Sequence, residues 1–101
     1  MAQVKICRTD AVPAGTASQF TVRDVELLIV NVAGRFYCIG ARCTHAGAPL
    51  ADGELVDDVL TCPWHASRFR VTDGTVLRGP AERNLLTYPV SVRDDYVYAE
   101  V

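Results

Sequence analysis

The sequence predicts an all-β fold built from short antiparallel strands. Three observations favour it: the runs of apolar and β-branched residues are short, turn dipeptides separate them, and helical periodicity is hard to find. Of the 101 residues, 50% are hydrophobic and 22% are charged, which suits a folded domain with a modest core. We therefore expect a single domain over residues 1–101.

The strand-like segments follow one another closely along the chain. In order they are QVKICR (3–8), QFTVR (19–23), ELLIVNVA (26–33), FYCIG (36–40), ELV (54–56), VLTC (59–62), RFRVT (68–72), TVL (75–77), YPVSVR (88–93) and YVYAEV (96–101). The first of these alternates apolar and polar residues, as a half-buried strand does. Closure or stacking of the sheets must then cover their edges.

Turn signals between these segments predict hairpins. They are Gly34-Arg35, Asp57-Asp58, Asp73-Gly74 and Asp94-Asp95. Asp-Gly is among the dipeptides most favoured in two-residue hairpins. Segments 41–53 and 78–87 are rich in Gly, Pro, Ala and Asp and are expected to be loops, with one short helical turn over residues 80–86.

Composition argues against several classes of partner. Ten basic and twelve acidic residues give a net charge of −2 without a basic stripe, so no nucleic-acid partner is expected. The longest aliphatic run, LLIV (27–30), is too short to span a membrane, and the N-terminal sequence has no signal-peptide apolar region. We expect a monomer in the cytoplasm. In that compartment cysteines bind metals or stay as thiols more often than they form disulfides.

Two cysteine–histidine pairs carry the candidate chemistry. CTHAGAPL (43–50) contains Cys43 and His45, and CPWHASRF (62–69) contains Cys62 and His65. Sixteen residues separate the two pairs, and each pair falls in a turn-rich loop that follows strand-like sequence. Two loop tips can therefore converge on one metal centre.

Two thiolates and two imidazoles suit two kinds of centre. One is a tetrahedral Cys2His2 zinc site. The other is a [2Fe–2S] cluster in which two histidines replace two cysteines on one iron. Structural zinc sites usually place two cysteines together and then two histidines, whereas each loop here supplies one of each. The arrangement favours the cluster and leaves a structural zinc module as the alternative.

The motifs resemble the Rieske-type cluster signature. C-T-H is followed by C-P-W-H, and the similarity runs through residues 34–53, 62–76 and 88–101. The chain resembles the small soluble Rieske ferredoxins that serve bacterial ring-hydroxylating oxygenases. The resemblance implies a Rieske-type antiparallel β-sandwich base with a small cluster-binding subdomain at about residues 41–76.

The same resemblance implies one Rieske-type [2Fe–2S] cluster and its ligands. Cys43 and Cys62 would bind the inner iron, and His45 and His65 the outer, solvent-facing iron. Gly79-Pro80 resembles the proline-bearing loop that covers the cluster in this family, although a plain turn explains it nearly as well.

Residues near the motif bear on the reduction potential. Ala48 and Trp64 stand where Rieske proteins of quinol-oxidising complexes carry two disulfide-forming cysteines. Phe69 replaces a tyrosine that donates a hydrogen bond toward sulfur, whereas Ser67 matches a donating serine. Without the tyrosine hydroxyl as a hydrogen-bond donor, the reduced cluster, which is more negative, is stabilised less, so the potential falls. The resemblance therefore implies a potential toward the low end of the Rieske range of about −150 to +300 mV, raised slightly by the serine.

The rest of the sequence favours an electron carrier over an enzyme. Both histidines are used by the motif, which leaves none for the iron site of a terminal oxygenase. The sequence also contains no GxG motif of the kind that a dinucleotide-binding reductase would need. The leading hypothesis is a carrier between an NAD(P)H-dependent ferredoxin reductase and a terminal ring-hydroxylating oxygenase. The alternatives are a Rieske-type small subunit of an assimilatory nitrite reductase or similar complex, and a redox sensor.

Several residues beside the motif admit two interpretations. Trp64 is either a core side chain or an apolar docking tip, and Ala46, Ala48, Pro49 and Leu50 would enlarge such a tip. The neighbouring arginines are either a solvated face or a docking surface for an acidic partner; they are Arg42, Arg68 and Arg70. Outside the motif, Cys7 and Cys38 are expected to be small buried side chains, with a disulfide as the minor alternative.

Overall fold

A computed structural model describes residues 3–101, so the first two residues of the expected 1–101 domain lie outside the description. Short strands joined by turns make up nearly all of its regular structure, which confirms the all-β prediction. The strands are β1 (Gln3–Arg8), β2 (Ala17–Val22), β3 (Val25–Val32), β4 (Arg35–Gly40), β5 (Glu54–Val56), β6 (Val59–Thr61), β7 (Arg68–Arg70), β8 (Val76–Arg78), β9 (Thr87–Tyr88), β10 (Val90–Arg93) and β11 (Tyr96–Glu100). Single 3₁₀ turns cover Thr9–Ala11 and Leu50–Asp52.

The strands form three antiparallel sheets. One has the order β1-β11-β10, a central one has the order β2-β3-β4-β9, and a third has the order β5-β6-β7-β8. The third sheet occupies residues 54–78, between β4 and β9 of the central sheet. No helix within residues 3–101 has the length and apolar character that crossing a bilayer requires.

β3 is buried on both faces, which makes it the centre of the fold. Leu27 and Ile29 pack with β11 of the first sheet, whereas Leu28 and Val30 pack on the opposite side with residues of the third sheet and its loops. All four side chains are fully buried, and each such burial is worth roughly 1.5–3 kcal/mol. The LLIV run therefore joins two cores through one strand.

Four hairpins have two-residue turns, which use left-handed backbone conformations. Arg23-Asp24 and Asp94-Asp95 have positive φ at both residues, as this turn type requires. The turn after β3 is Ala33-Gly34 rather than the expected Gly34-Arg35, because Val32 pairs with Arg35. Gly34 takes the second turn position with φ of +92°, which glycine adopts without strain.

Two further local predictions are wrong. The hairpin at Asp73-Gly74 exists, but residues 71–75 separate β7 from β8, so its turn is longer than two residues. The backbone N–H of Gly74 donates to the carbonyl of Arg70 at 2.7 Å, and that of Thr75 donates to the Asp73 carboxylate at 3.0 Å. Through these two hydrogen bonds, Asp73 and Gly74 close a turn of five residues, 71–75, instead of a two-residue turn.

The expected helical turn over residues 80–86 does not form. The backbone N–H of Leu85 donates to the carbonyl of Gly74 at 2.8 Å, and the Asn84 side chain accepts from the N–H of Val76 at 3.0 Å. Residues 79–86, called the third loop below, therefore bind neighbouring segments instead of coiling on themselves.

Candidate metal centre

The two cysteine–histidine segments form loops of the same design. In the first loop (residues 43–48), the backbone N–H of Cys43 donates to the carbonyl of Ala48 at 2.9 Å. In the second loop (residues 62–67), the backbone N–H of Cys62 donates to the carbonyl of Ser67 at 2.7 Å. Each loop thus spans six residues, starts at its cysteine and closes through the cysteine amide.

The flanks of the two loops differ. The second loop lies between β6 and β7, whose pairing brings Thr61 opposite Arg68 directly below it. The first loop follows β4 but is flanked only by an isolated bridge between Arg42 and Pro49. Sheet pairing therefore anchors the second loop more firmly than the first.

The cysteines lie inside the molecule and close together. Cys43 and Cys62 are 4% and 3% exposed, and both belong to the same buried core cluster. Burial raises the pKa of the Cys62 thiol, and the neighbouring Cys43 raises it further, whereas a hydrogen bond from the backbone N–H of Trp64 opposes the rise in pKa. A metal that replaced the proton would relieve the cost of ionising these buried thiols.

The histidines lie outside the cysteines and face each other. His45 and His65 are exposed, their ring centroids are 5.2 Å apart, and their ring planes make an angle of 80°. The structure therefore places all four sequence-predicted residues in the two loops, with the cysteines inside and the imidazoles at the surface.

The third loop packs against both of the others. The backbone N–H of Ala81 donates to the buried Ser67 hydroxyl oxygen at 3.0 Å. The Thr44 hydroxyl donates to the carbonyl of Arg83 at 2.7 Å, and Pro80 and His45 line the same surface cavity. The contribution of Thr44 has no signal in the sequence beyond its place inside the motif.

Trp64 is 51% exposed, so the docking-tip interpretation fits the structure and the core interpretation is wrong. The expected apolar rim around it is smaller than the sequence suggested. Ala48 and Leu50 are fully buried in the core below the first loop, and only Ala46 and part of Pro49 remain at the surface. The turn of the first loop directs its second half inward.

The arginines near the motif have different surroundings. Arg42 forms an ion pair with Glu26, and Arg70 forms one with Asp73. Arg68 is exposed and makes no ion pair within residues 3–101. The partnership of Arg42 was missed because Glu26 lies in β3, far along the chain from the motif.

The two remaining cysteines are thiols, as the leading expectation has it. Cys38 is buried in the core between the first and central sheets, whereas Cys7 is only half-buried beside it. Burial raises the pKa of Cys38 to about 12, with a smaller contribution from Cys7. Neither residue lies in the loops of the candidate centre.

The donor set fits a binuclear cluster. Across the described part of the chain, no three His, Cys, Asp or Glu side chains are grouped as one metal ion would require. A [2Fe–2S] cluster of the mixed type needs only two protein ligands for each iron, and a pair of thiols beside a pair of imidazoles supplies them.

Comparison with known proteins defines the class. The chain belongs to the Rieske [2Fe-2S] domain family, whose profile matches residues 2–89. It is 35% identical, over all of this chain and 95% of the relative, to the 3-phenylpropionate/cinnamic acid dioxygenase ferredoxin subunit of Escherichia coli (strain K12). The family carries one Rieske-type [2Fe–2S] cluster.

Solved structures narrow the class to ferredoxins. The Sphingomonas yanoikuyae B1 ferredoxin is similar with a TM-score of 0.94, 26% identity and 99% coverage of both chains. A chain of a complex of reduced oxygenase and oxidized ferredoxin in carbazole 1,9a-dioxygenase is similar with a TM-score of 0.89 and 30% identity, covering 96% of this chain and 91% of that one. This protein is thus a Rieske ferredoxin of the ring-hydroxylating dioxygenase type, an electron-transfer component and not itself a catalytic enzyme.

Proposed function

We propose that Cys43 and Cys62 bind the inner iron of the cluster and that His45 and His65 bind the outer iron. One observation carries this assignment: two buried thiols and two facing, exposed imidazoles lie at the tips of two matched loops. On the same grounds we assign the cluster-binding subdomain to about residues 41–76, the range that holds both loops.

When bound, the cluster supplies a one-electron store with a potential in the Rieske range of about −150 to +300 mV. The chain shields one side of the centre with its buried cysteines and the core below them. It exposes the other side through His45 and His65, so an electron can pass to a docked partner over a short distance.

The partners we propose are a terminal oxygenase as electron acceptor and an NAD(P)H-dependent ferredoxin reductase as electron donor, both meeting a monomeric carrier in the cytoplasm. The acceptor is supported by the similar chain that was solved in a complex of oxygenase and ferredoxin. The donor is supported by the lack of any GxG dinucleotide motif in this sequence, which leaves the carrier dependent on another protein for electrons. The relatives favour this role over the nitrite reductase subunit.

Site variants test the ligand assignment. Cys62→Ala should lose iron and acid-labile sulfide because the inner iron then lacks a ligand, and His65→Asn should lose most of both because the outer iron loses an imidazole. Cys7→Ala, a change in a half-buried cysteine outside the loops, is the matched control and should keep full iron and sulfide. A Cys62→Ala protein with an undiminished cluster would disprove the assignment.

Electron transfer tests the role. The reduced protein, mixed in a stopped-flow instrument with a terminal oxygenase from a related dioxygenase, should be reoxidised as the oxygenase is reduced. The role as a carrier is wrong if the protein holds a full cluster but is reoxidised no faster in the presence of the oxygenase than in its absence.

A further inference from the structure

Arg42 joins the first loop to the central sheet through three hydrogen bonds. Its Nε and Nη2 donate to the two carboxylate oxygens of Glu26 at 2.9 and 3.0 Å, and its Nη1 donates to the carbonyl of Gly47 at 3.1 Å. One guanidinium therefore holds a β3 carboxylate and the far side of the loop that carries His45. Such forked pairing fixes orientation as well as distance.

The carboxylate is itself held in place. The Gln19 side-chain amide of β2 donates to Glu26 Oε2 at 2.9 Å, the same oxygen that accepts from Arg42 Nη2. Hydrogen bonding to Arg42 lowers the pKa of Glu26, so the carboxylate stays ionised near neutral pH. The chain of contacts thus runs from β2 through β3 to the first loop.

Within residues 3–101 the second loop has no equivalent of this clamp; strand pairing holds its base instead. Thr61, which precedes Cys62, takes the place that Arg42 has before Cys43, and it is paired with Arg68 across β6 and β7. The first loop has only the bridge between Arg42 and Pro49 at its base. The clamp therefore compensates for strand pairing that the first loop lacks.

We propose that Arg42 is a positioning residue: its clamp on Glu26 and Gly47 holds the first loop in the one arrangement that sets His45 against His65. The inference rests on the proposed ligand assignment of His45. The guanidinium and the carboxylate cancel in charge, so the pair acts by geometry and adds little net field at the centre. Without the clamp, His45 would sample several positions, so the coordination geometry of the outer iron would vary from molecule to molecule.

Four variants separate geometry from charge: Arg42→Gln, Glu26→Gln, the double variant with both changes, and Arg42→Lys. The double variant keeps the local net charge of the wild type but has no clamp. Arg42→Lys keeps the charge but cannot form the fork, and it remains informative if Arg42→Gln fails to fold. Arg70→Gln, which removes the Arg70–Asp73 ion pair, is the matched control.

Hydrogen exchange by mass spectrometry on the cluster-loaded proteins supplies a readout that is independent of electron transfer. Amides of residues 42–50 should exchange about fivefold faster in the double variant and in Arg42→Lys, while residues 62–68 stay as in the wild type. The EPR lines of the reduced double variant should broaden, and its potential should differ from that of the wild type. Arg70→Gln should change none of these readouts.

The possible outcomes separate this inference from the proposed function. If the wild type contains no cluster, the proposed function fails. If the wild type is loaded but the double variant matches it in exchange, linewidth and potential, only the positioning role of Arg42 is overturned. The same holds if the single variants shift the potential in opposite directions and the double variant restores it, since the pair would then act through charge alone.

Discussion

Gly47 and Ala66 occupy equivalent positions of the first and second loops, four residues after Cys43 and Cys62, and both have left-handed backbones with φ of 72° and 62°. The left-handed conformation lets each loop turn back so that the cysteine amide meets the carbonyl that closes it. Glycine adopts this conformation without cost, whereas alanine pays for the crowding of its Cβ. The second loop thus stores strain that the first does not.

Ala66→Gly should stabilise the protein by roughly 0.5–1 kcal/mol, because relief of the left-handed strain exceeds the extra entropy that glycine gives the unfolded chain. Gly47→Ala is the matched reverse change. A Cβ at Gly47 meets no atom within 4 Å, so its cost, about 1 kcal/mol, comes from conformation alone. Urea unfolding of the cluster-loaded proteins measures the change in unfolding free energy for both variants. A less stable Ala66→Gly protein would show that the Ala66 backbone is not strained.

Ser67→Ala should destabilise the protein by roughly 1–3 kcal/mol, since the N–H of Ala81 would lose its buried acceptor. The third loop should then exchange its amide hydrogens faster. Thr44→Val removes a different side-chain link to this loop, from the Thr44 hydroxyl to the Arg83 carbonyl, and is the comparison. A lower reduction potential in Ser67→Ala alone would also show that its hydroxyl donates toward the cluster; an unchanged stability would contradict the predicted role of Ser67.

Trp64→Ala should slow electron transfer to an oxygenase by roughly fivefold or more, because aromatic anchors dominate the energy of small contacts. Its iron content and potential should stay as in the wild type, since Trp64 is not one of the proposed ligands and about half of its surface is exposed to solvent. Val92→Ala, at an exposed position of β10, is the control and should transfer electrons normally. Equal rates for the two variants would exclude the docking tip.

The unfolding free energy should fall as the pH rises from about 9 to about 12. Cys38 has a pKa of about 12 in the folded state against 9.0 as its ordinary value. In this window the unfolded chain loses the thiol proton and the folded chain keeps it, so ionisation favours unfolding. Cys38→Val, which cannot ionise, should show a shallower decline; an identical slope in the two proteins would contradict the raised pKa.

The sequence predicts most of the fold because its strands are short and marked by turns. Every segment predicted to be a strand overlaps one, and the Gly-, Pro- and Ala-rich segments 41–53 and 78–87 hold the first and third loops. The errors are local. The third loop forms no helical turn because its Leu85 N–H donates to the Gly74 carbonyl and its Asn84 side chain accepts from the Val76 N–H. Hydrogen bonds between separate segments leave no periodic pattern in the sequence, so they could not be predicted from it.

The four residues of the candidate centre could also be found from spacing and chemistry alone. What the sequence could not show is how the loops are held. The clamp from Arg42 to Glu26 joins residues 16 apart in the chain, and Thr44 reaches Arg83 across 39. For the same reason the burial of Ala48 and Leu50 was missed, since the direction of a loop side chain depends on the turn before it.

In the proposed assignment both histidines bind the outer iron, and pulsed EPR of the dithionite-reduced protein can detect their nitrogens. His45 and His65 are the only histidines in the chain, so labelling histidine with ¹⁵N marks these two side chains and no others. We expect two imidazole nitrogens coupled to the reduced cluster, and loss of one in His65→Asn molecules that still hold iron. A colourless protein that contains zinc and gives no EPR signal, or a cluster signal without nitrogen coupling, would contradict it.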